Sequence, residues 1–360
     1  MKKTPRPAIN SERQAQFLQL MKAAADLTWQ KPDVEVLRPD LIDQYPSIVR
    51  GLQNAIHIGH ERGKLLLPDL EAFGNETVAI FSDYGGESKG DYHTYSFLAC
   101  AWNTTGLFAQ EMLKIRDRHG LGDKEIAFKD FRMGQMRRAL PEYLRLLDTV
   151  VNGLLLTVVI DKRLPSFFSP KDQGGHAAVA RELLDHGLGS WKPDVAEKLV
   201  RVVQIAAFLV GLLAVPDQKL FWMTDADAIC ANEELHRHAL ELFCRSLPQY
   251  VEPGWKFGHV GGASQFGKKD LMTLDLLSAA DVVAGSVERF LTTKNSAIEE
   301  NFKVKPGSEK VLQWLAHDGL ALKKLTVIMR PKGVNEMMTS TLEFSLRDPP
   351  PDVTIVPVIV

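Results

Sequence analysis

Apolar positions along the chain recur at two different spacings, and the switches between them divide it. Helical spacing appears at Phe17, Leu20, Met21 and Ala24 and again from about Ile48 to Arg62, with Pro32, Pro39 and Pro46 breaking the chain between. Residues 1–70 therefore read as a helical N-terminal extension. The pattern then turns to strands: TVAIFSD (77–83), stopped by Tyr-Gly-Gly, and TYSFLACAW (94–102) are β-branched and aromatic runs that predict a hairpin. Helix periodicity returns over 106–118, ended by HGLGD, and over 133–151 despite Pro141. LLLTVVIDKRL (154–164) is a continuous apolar strand with no polar side, as expected of a strand buried on both faces.

A long linker containing SPKDQGGH (169–176) leads to a helix over 195–215, then to a strand in KLFWMTDADAI (219–229). A helix over 233–247, a glycine-rich loop over 254–267 and an apolar helix over 274–291 follow. The tail suggests strands at 324–330, 340–346 and 353–359. Strands alternating with helices predict an α/β fold, with a mixed sheet over 71–292 and an α+β extension over 293–360.

Composition narrows the class. With 360 residues and 45% hydrophobic content the chain can bury a large core. A net charge of -2 offers no long-range attraction to nucleic acid or an anionic membrane, so any polyanion site must be local. Cys100, Cys230 and Cys244 lack metal or disulfide spacing and read as buried reduced thiols. No window reaches the roughly 18 to 20 apolar residues of a membrane span, and a cytoplasmic protein is expected.

Three strands run out of apolar sequence onto acids: Asp83, Asp161, and the pair Asp225 and Asp227. One such aspartate is an ordinary turn former or cap, but carboxyl ends of strands are where open α/β sheets bind ligands. A fourth acid, Asp281, interrupts LDLLSAADVVAGSVERFL (274–291). At about 100° per residue it shares a face with Leu274, Leu277, Ala284, Gly285 and Glu288, so it is predicted to face the sheet beside small residues. Burying that carboxylate costs several kcal/mol unless something compensates. It either caps a turn, pairs with a buried Arg, or joins the strand-end acids around a divalent cation. Carboxylates without His or Cys suit Mg²⁺ or Mn²⁺, and two such ions support phosphodiester cleavage.

With FSDYGG on the first strand, EIAFKDF (125–131), VVIDKR and SAADVVAG, the chain resembles the bacterial family called domain of unknown function 3800 over about 77–292. The resemblance implies a ribonuclease H-like fold and a nuclease-type site. Asp83 matches that family's first aspartate, Glu125 and Lys129 its middle motif, and Asp281, Ala284 and Gly285 its last helix. Tyr84 departs from it, standing where the family has Glu, so that carboxylate's role is lost or passes to Glu87. The expected function is a Mg²⁺- or Mn²⁺-dependent nuclease in which Asp83, Asp281 and one or both of Asp225 and Asp227 hold metal. Asp161 and Glu125 stand behind them, and Lys129 positions a phosphate. The alternative is a non-catalytic binding or assembly module, in a phage-defence or mobile-element setting that only the resemblance suggests. A homo-oligomer or an operon-encoded protein partner is compatible with either.

Lys124, Lys129, Arg132, Arg137 and Arg138, interleaved with Phe128 and Phe131, form either a solvated helix face or a backbone-contacting surface. GASQFGKK (262–269) approaches a phosphate loop but ends on Lys269, without the hydroxyl that holds Mg²⁺. His236 and His238, two residues apart on a helix, point about 200° apart and predict no chelate. HIGH (57–60) reads as surface or packing histidines.

Overall fold

The computed structural model describes residues 29–30, 33–87, 90–263, 270–296, 306–317, 319–333 and 336–345. The first predicted helix, the strand at 353–359 and residues 264–269 of the 262–269 loop lie outside these. Helix α1 is Ser47–Glu61, preceded by Pro46. The hairpin follows as β1 (Thr77–Gly85) and β2 (Tyr92–Ala101), paired antiparallel with Asp83 opposite Ser96. Helices α2 (Thr105–His119) and α3 (Gly134–Val150) precede β3 (Gly153–Asp161), which is buried along its whole length. Pro141 sits inside α3, where the buried row Met136, Leu140, Tyr143, Leu144 and Leu147 holds the helix against the lost backbone bond.

Then come α4 (Gly175–Asp185), α5 (Pro193–Leu213), β4 (Lys219–Thr224), α6 (Glu233–Ser246) and β5 (His259–Ala263). The long helix α7 (Leu271–Ser296), α8 (Ser308–Leu315), β6 (Leu322–Gly333) and β7 (Glu336–Thr341) complete the described chain. Two of these differ from expectation. The linker after 169 contains α4, which buries only Val179 and Leu183 and so leaves a thin apolar signal. The glycine-rich loop contains β5, a half-exposed edge strand whose HVGGA has no alternation to read.

The seven strands form one mixed sheet in the order β5-β4-β1-β2-β3-β6-β7. β1, β2 and β3 are an antiparallel meander, while β4 runs parallel to β1 and β5 parallel to β4. β6 is parallel to β3, so the C-terminal stretch extends the same sheet. One face packs under α1, α4, α5 and α6 with Ile80, Phe97 and Trp222; the other packs under α2, α3, α7 and α8 with Phe81, Leu98 and Ile328. These three layers place the carboxyl ends of β1, β3 and β4 on one edge. Among the described residues no helix is long and apolar enough to cross a membrane.

Candidate functional site: a carboxylate cluster at the sheet edge

Side chains alternate along β1, so Asp83 leaves the α7 face and Tyr84 the α5 face. Ser82 pairs with Thr224 across β1 and β4, which carries Asp83 and Asp225 off neighbouring parallel strands at one level. The backbone N–H of Asp225 donates to the Ser82 carbonyl at 3.1 Å, closing the strand end. Behind them, the Tyr84 hydroxyl shares hydrogen bonds of 2.7 Å with both Ser82 Oγ and Thr224 Oγ1.

Helix α7 crosses β1 and β2 closely. The Thr94 hydroxyl donates to the Ala284 carbonyl at 3.1 Å. A Cβ on Gly285 would run into the Phe128 ring. The predicted stripe is fully buried at Leu274, Leu277 and Ala284 but only half-buried at Asp281, Gly285 and Glu288. Asp281 therefore looks toward the sheet edge, where its Oδ2 accepts the Phe128 N–H at 2.7 Å. It caps the turn Phe128–Asp130, which brings Glu125 and Lys129 to the same place.

The mutual influence of these acids shows in their protonation. Burial first, then the charges of Asp281 and Asp225, push the Asp83 carboxyl well above the usual carboxylate range. Burial pushes Asp281 up to about 6 against the Phe128 N–H, and the charges of Asp225 and Glu125 add to the rise. Burial opposes the charge on Lys129, yet Glu125, Asp130 and Asp281 together hold its pKa above the ordinary value. Its ammonium lies 3.4 Å from Glu125 and is largely exposed. Among the described residues no three His, Cys, Asp or Glu side chains already stand in a metal-binding arrangement. Asp83, Asp225, Asp281 and Glu125 feel one another's charge without converging.

The structure does not bring Asp161 to this cluster. Asp83 is level with Thr157 through Ser96, so Asp161 lies four residues further along and two strands across, about 16 Å away at ordinary strand spacings. It is buried and held by Arg163, whose Nη2 donates to Oδ2 at 2.7 Å. Burial alone would raise its pKa, but Arg163 brings it below the ordinary value. Asp227 turns to the α5 face, where it shares the Lys198 ammonium with Glu87. Lys198 also lies 4.6 Å from the Tyr84 ring centre. Glu87 thus joins this second group rather than replacing a carboxylate beside Asp83.

Lys198 and Arg201 escaped notice in the sequence, although charged residues within the apolar run of α5 carry the same signal that picked out Asp281. The same holds for Asp275 on α7, which is buried and accepts from Arg116 Nε at 2.9 Å. Lys124, Lys129, Arg132, Arg137 and Arg138 are all exposed, and apart from Lys129 none enters an ion pair among the described residues. His57 lies between Glu35 and Glu61, at 2.9 and 3.2 Å, two acids the sequence did not bring forward. His236 lies near β5 and His238 near Gly189, so they form no pair. Cys244 is exposed, unlike the buried Cys100 and Cys230.

What fold and cluster define together is a class: a three-layer α/β protein with acids gathered at the carboxyl edge of its sheet. No protein-family model matches the chain, and no curated protein does.

Proposed function

We propose that the protein is a ribonuclease H-like, Mg²⁺- or Mn²⁺-dependent nuclease of the cytoplasm, akin to the domain of unknown function 3800 family. The observation that carries this reading is the gathering of Asp83, Asp225, Asp281 and Glu125 from four separate segments, at the cost of raised carboxyl pKa values. Such a set lowers its own repulsion when a hard dication is present, and its all-oxygen donors fit Mg²⁺ or Mn²⁺. The antiparallel meander extended beside its first strand by two parallel strands supports the ribonuclease H-like part. The exposed Lys129 beside Glu125, followed in the chain by the exposed Arg132, Arg137 and Arg138, favours a phosphate backbone as substrate.

Asp83, Asp225 and Asp281 would hold metal, with Glu125 beside them. Bound metal supplies an activated water and charge stabilisation at the leaving oxygen. Lys129, exposed yet tethered to Glu125, steers a phosphate toward the acids. The Phe128 N–H keeps Asp281 turned to the edge. Asp161 and Asp227, each matched to a cation, serve the frame instead. Tyr84 costs the cluster no ligand, because side chains at 83 and 84 point to opposite faces of the sheet.

The test is a calorimetric titration of Mn²⁺ into the parent protein, Asp83→Asn and Asp281→Asn, beside cleavage assays on single- and double-stranded DNA and RNA. The parent is expected to bind and cut, and each variant to lose both. A parent that binds metal but cuts nothing leaves only the binding-module reading; one that does neither ends the metal reading as well.

A further inference from the structure

On the α5 side of β1, away from the carboxylates, the sheet edge opens into a cavity of about 370 Å³. Tyr84, His93 and Tyr95 of the hairpin form one wall, Lys162 beyond β3 another, and Lys198 and Arg201 of α5 a third. This volume lies in the range of small-molecule sites, and the carboxyl edge is where α/β sheets take ligands.

The five carboxylates around it outnumber the four cations, yet one of the cations is left unpaired among the described residues. Arg201 is matched by Glu197 at 2.9 Å and Asp161 by Arg163 at 2.7 Å, Lys198 is shared by Glu87 and Asp227, and Asp194 lies 2.7 Å from His176. Lys162 remains, with no carboxylate partner among the described residues. His93 packs on Tyr95, with ring centres 6.3 Å apart, and neither ring nitrogen has a hydrogen-bond partner among the described residues. Burial, then the charges of Arg201, Lys162 and Lys198, lower its pKa to about 4. It therefore stands as a neutral imidazole, able to donate one hydrogen bond, lining the same cavity as Lys162.

One spare cation and one spare donor suit a single phosphate group. Aromatic faces alongside suit a base, and the space exceeds what a bare phosphate needs. We propose that this cavity binds a nucleoside monophosphate, its phosphate beside Lys162 and His93 and its base toward Tyr84 and Tyr95. The ligand is either a free mononucleotide or the phosphorylated end of a strand, since both present the same group.

The experiment is equilibrium binding to the full chain in EDTA, which silences any metal site and so separates this proposal from the nuclease reading. Probes are AMP, GMP, CMP and UMP, the matching nucleosides, inorganic phosphate, and short oligonucleotides with and without a 5′-phosphate. Saturable binding of at least one mononucleotide is expected, and it should exceed that of its nucleoside and of phosphate alone. Lys162→Met and His93→Gln should each weaken it about tenfold or more, as loss of a charged hydrogen bond does. Lys162→Arg should restore most of it, and Asp281→Asn should leave it unchanged. Thermal melts of each variant guard against loss of fold. Tighter binding of the 5′-phosphorylated oligonucleotide than of the mononucleotide would identify a strand end as the ligand; the reverse, a free nucleotide. The proposal falls if no mononucleotide saturates, if nucleosides bind equally well, or if the Lys162 and His93 variants bind like the parent. Loss of binding in Asp281→Asn would move the ligand to the carboxylate cluster.

Discussion

A carboxylate whose pKa rises on folding destabilises the fold when ionised, and Asp281 gives that rule a measurable sign. Its value moves from 3.8 to about 6, so between these pH values the folded chain holds a proton that the unfolded chain has released. Stability of the metal-free protein must then fall as pH rises through that window. Asp281→Asn keeps an acceptor for the Phe128 N–H and removes the charge. Urea unfolding in EDTA should find it more stable than the parent at pH 7, by about 1–3 kcal/mol after allowance for its partial exposure, and no more stable at pH 4. A loss of stability at pH 7 would mean that the charge is already compensated. Tyr84 gives a second prediction: Tyr84→Phe removes a hydroxyl shared with Ser82 and Thr224 and should cost about 1–2 kcal/mol while leaving Mn²⁺ affinity unmoved, because it lies on the other face. Asp83, Asp225 and Asp281 were legible as acids at the ends or in the middle of apolar runs. The Phe128 N–H was not, since a backbone donor has no residue type to announce it. The pairing of Asp161 with Arg163 was equally hidden, for adjacency in sequence does not say which way a turn folds back.

Between elements, the cluster depends on how the turn carrying Glu125 is fixed to α7. Arg116 on α2 donates to the Gly122 and Lys124 carbonyls at 2.7 and 2.9 Å and to Asp275 on α7, while the Tyr143 hydroxyl donates to the Asp275 carbonyl at 2.6 Å. Removing one partner strands a buried charge. Arg116→Met is expected to cost about 3–5 kcal/mol, and the Arg116→Met, Asp275→Leu double variant clearly less than the two single losses summed. Urea unfolding of the four proteins supplies the cycle; additive losses would deny the coupling. A nearer contact makes the same point, since Gly285→Ala must displace the Phe128 ring and, with it, the turn that Asp281 caps. Most of these elements were readable from periodicity, including the helix that continues through Pro141. α4 and β5 were not, because one buries two side chains and the other lies at the sheet edge, where neither packing nor alternation constrains the sequence.

Over the whole molecule, a net charge of -2 hides an uneven surface. The sheet order could not be read from a single sequence, because registers such as Ser82 with Thr224 join segments far apart in the chain. That order sets Asp225 beside Asp83, and α7, through Asp281 and the Phe128 N–H, brings Glu125 and Lys129 to the same edge. The basic residues of the same segment are available to solvent: Lys124, Arg132, Arg137 and Arg138 are exposed and in no ion pair among the described residues, close in the chain to Glu125 and Lys129. Exposed charges act over a Debye length of about 8–10 Å, so such a surface holds a polyanion by contact with its phosphates and not by distant attraction. Each contact releases counterions, and the dependence of binding on salt counts them. Single-stranded DNA or RNA binding in EDTA, measured by fluorescence anisotropy from about 50 to 200 mM salt, is expected to give a log–log slope shallower by about 0.7–0.9 for each arginine lost. Arg132→Ala, Arg137→Ala and Arg138→Ala combined should then flatten it by about two to three units, nearly alike for all sequences, since phosphate contacts carry no base preference. An unchanged slope would mean that these arginines are a solvated face and that the strand reaches the carboxylates by another side.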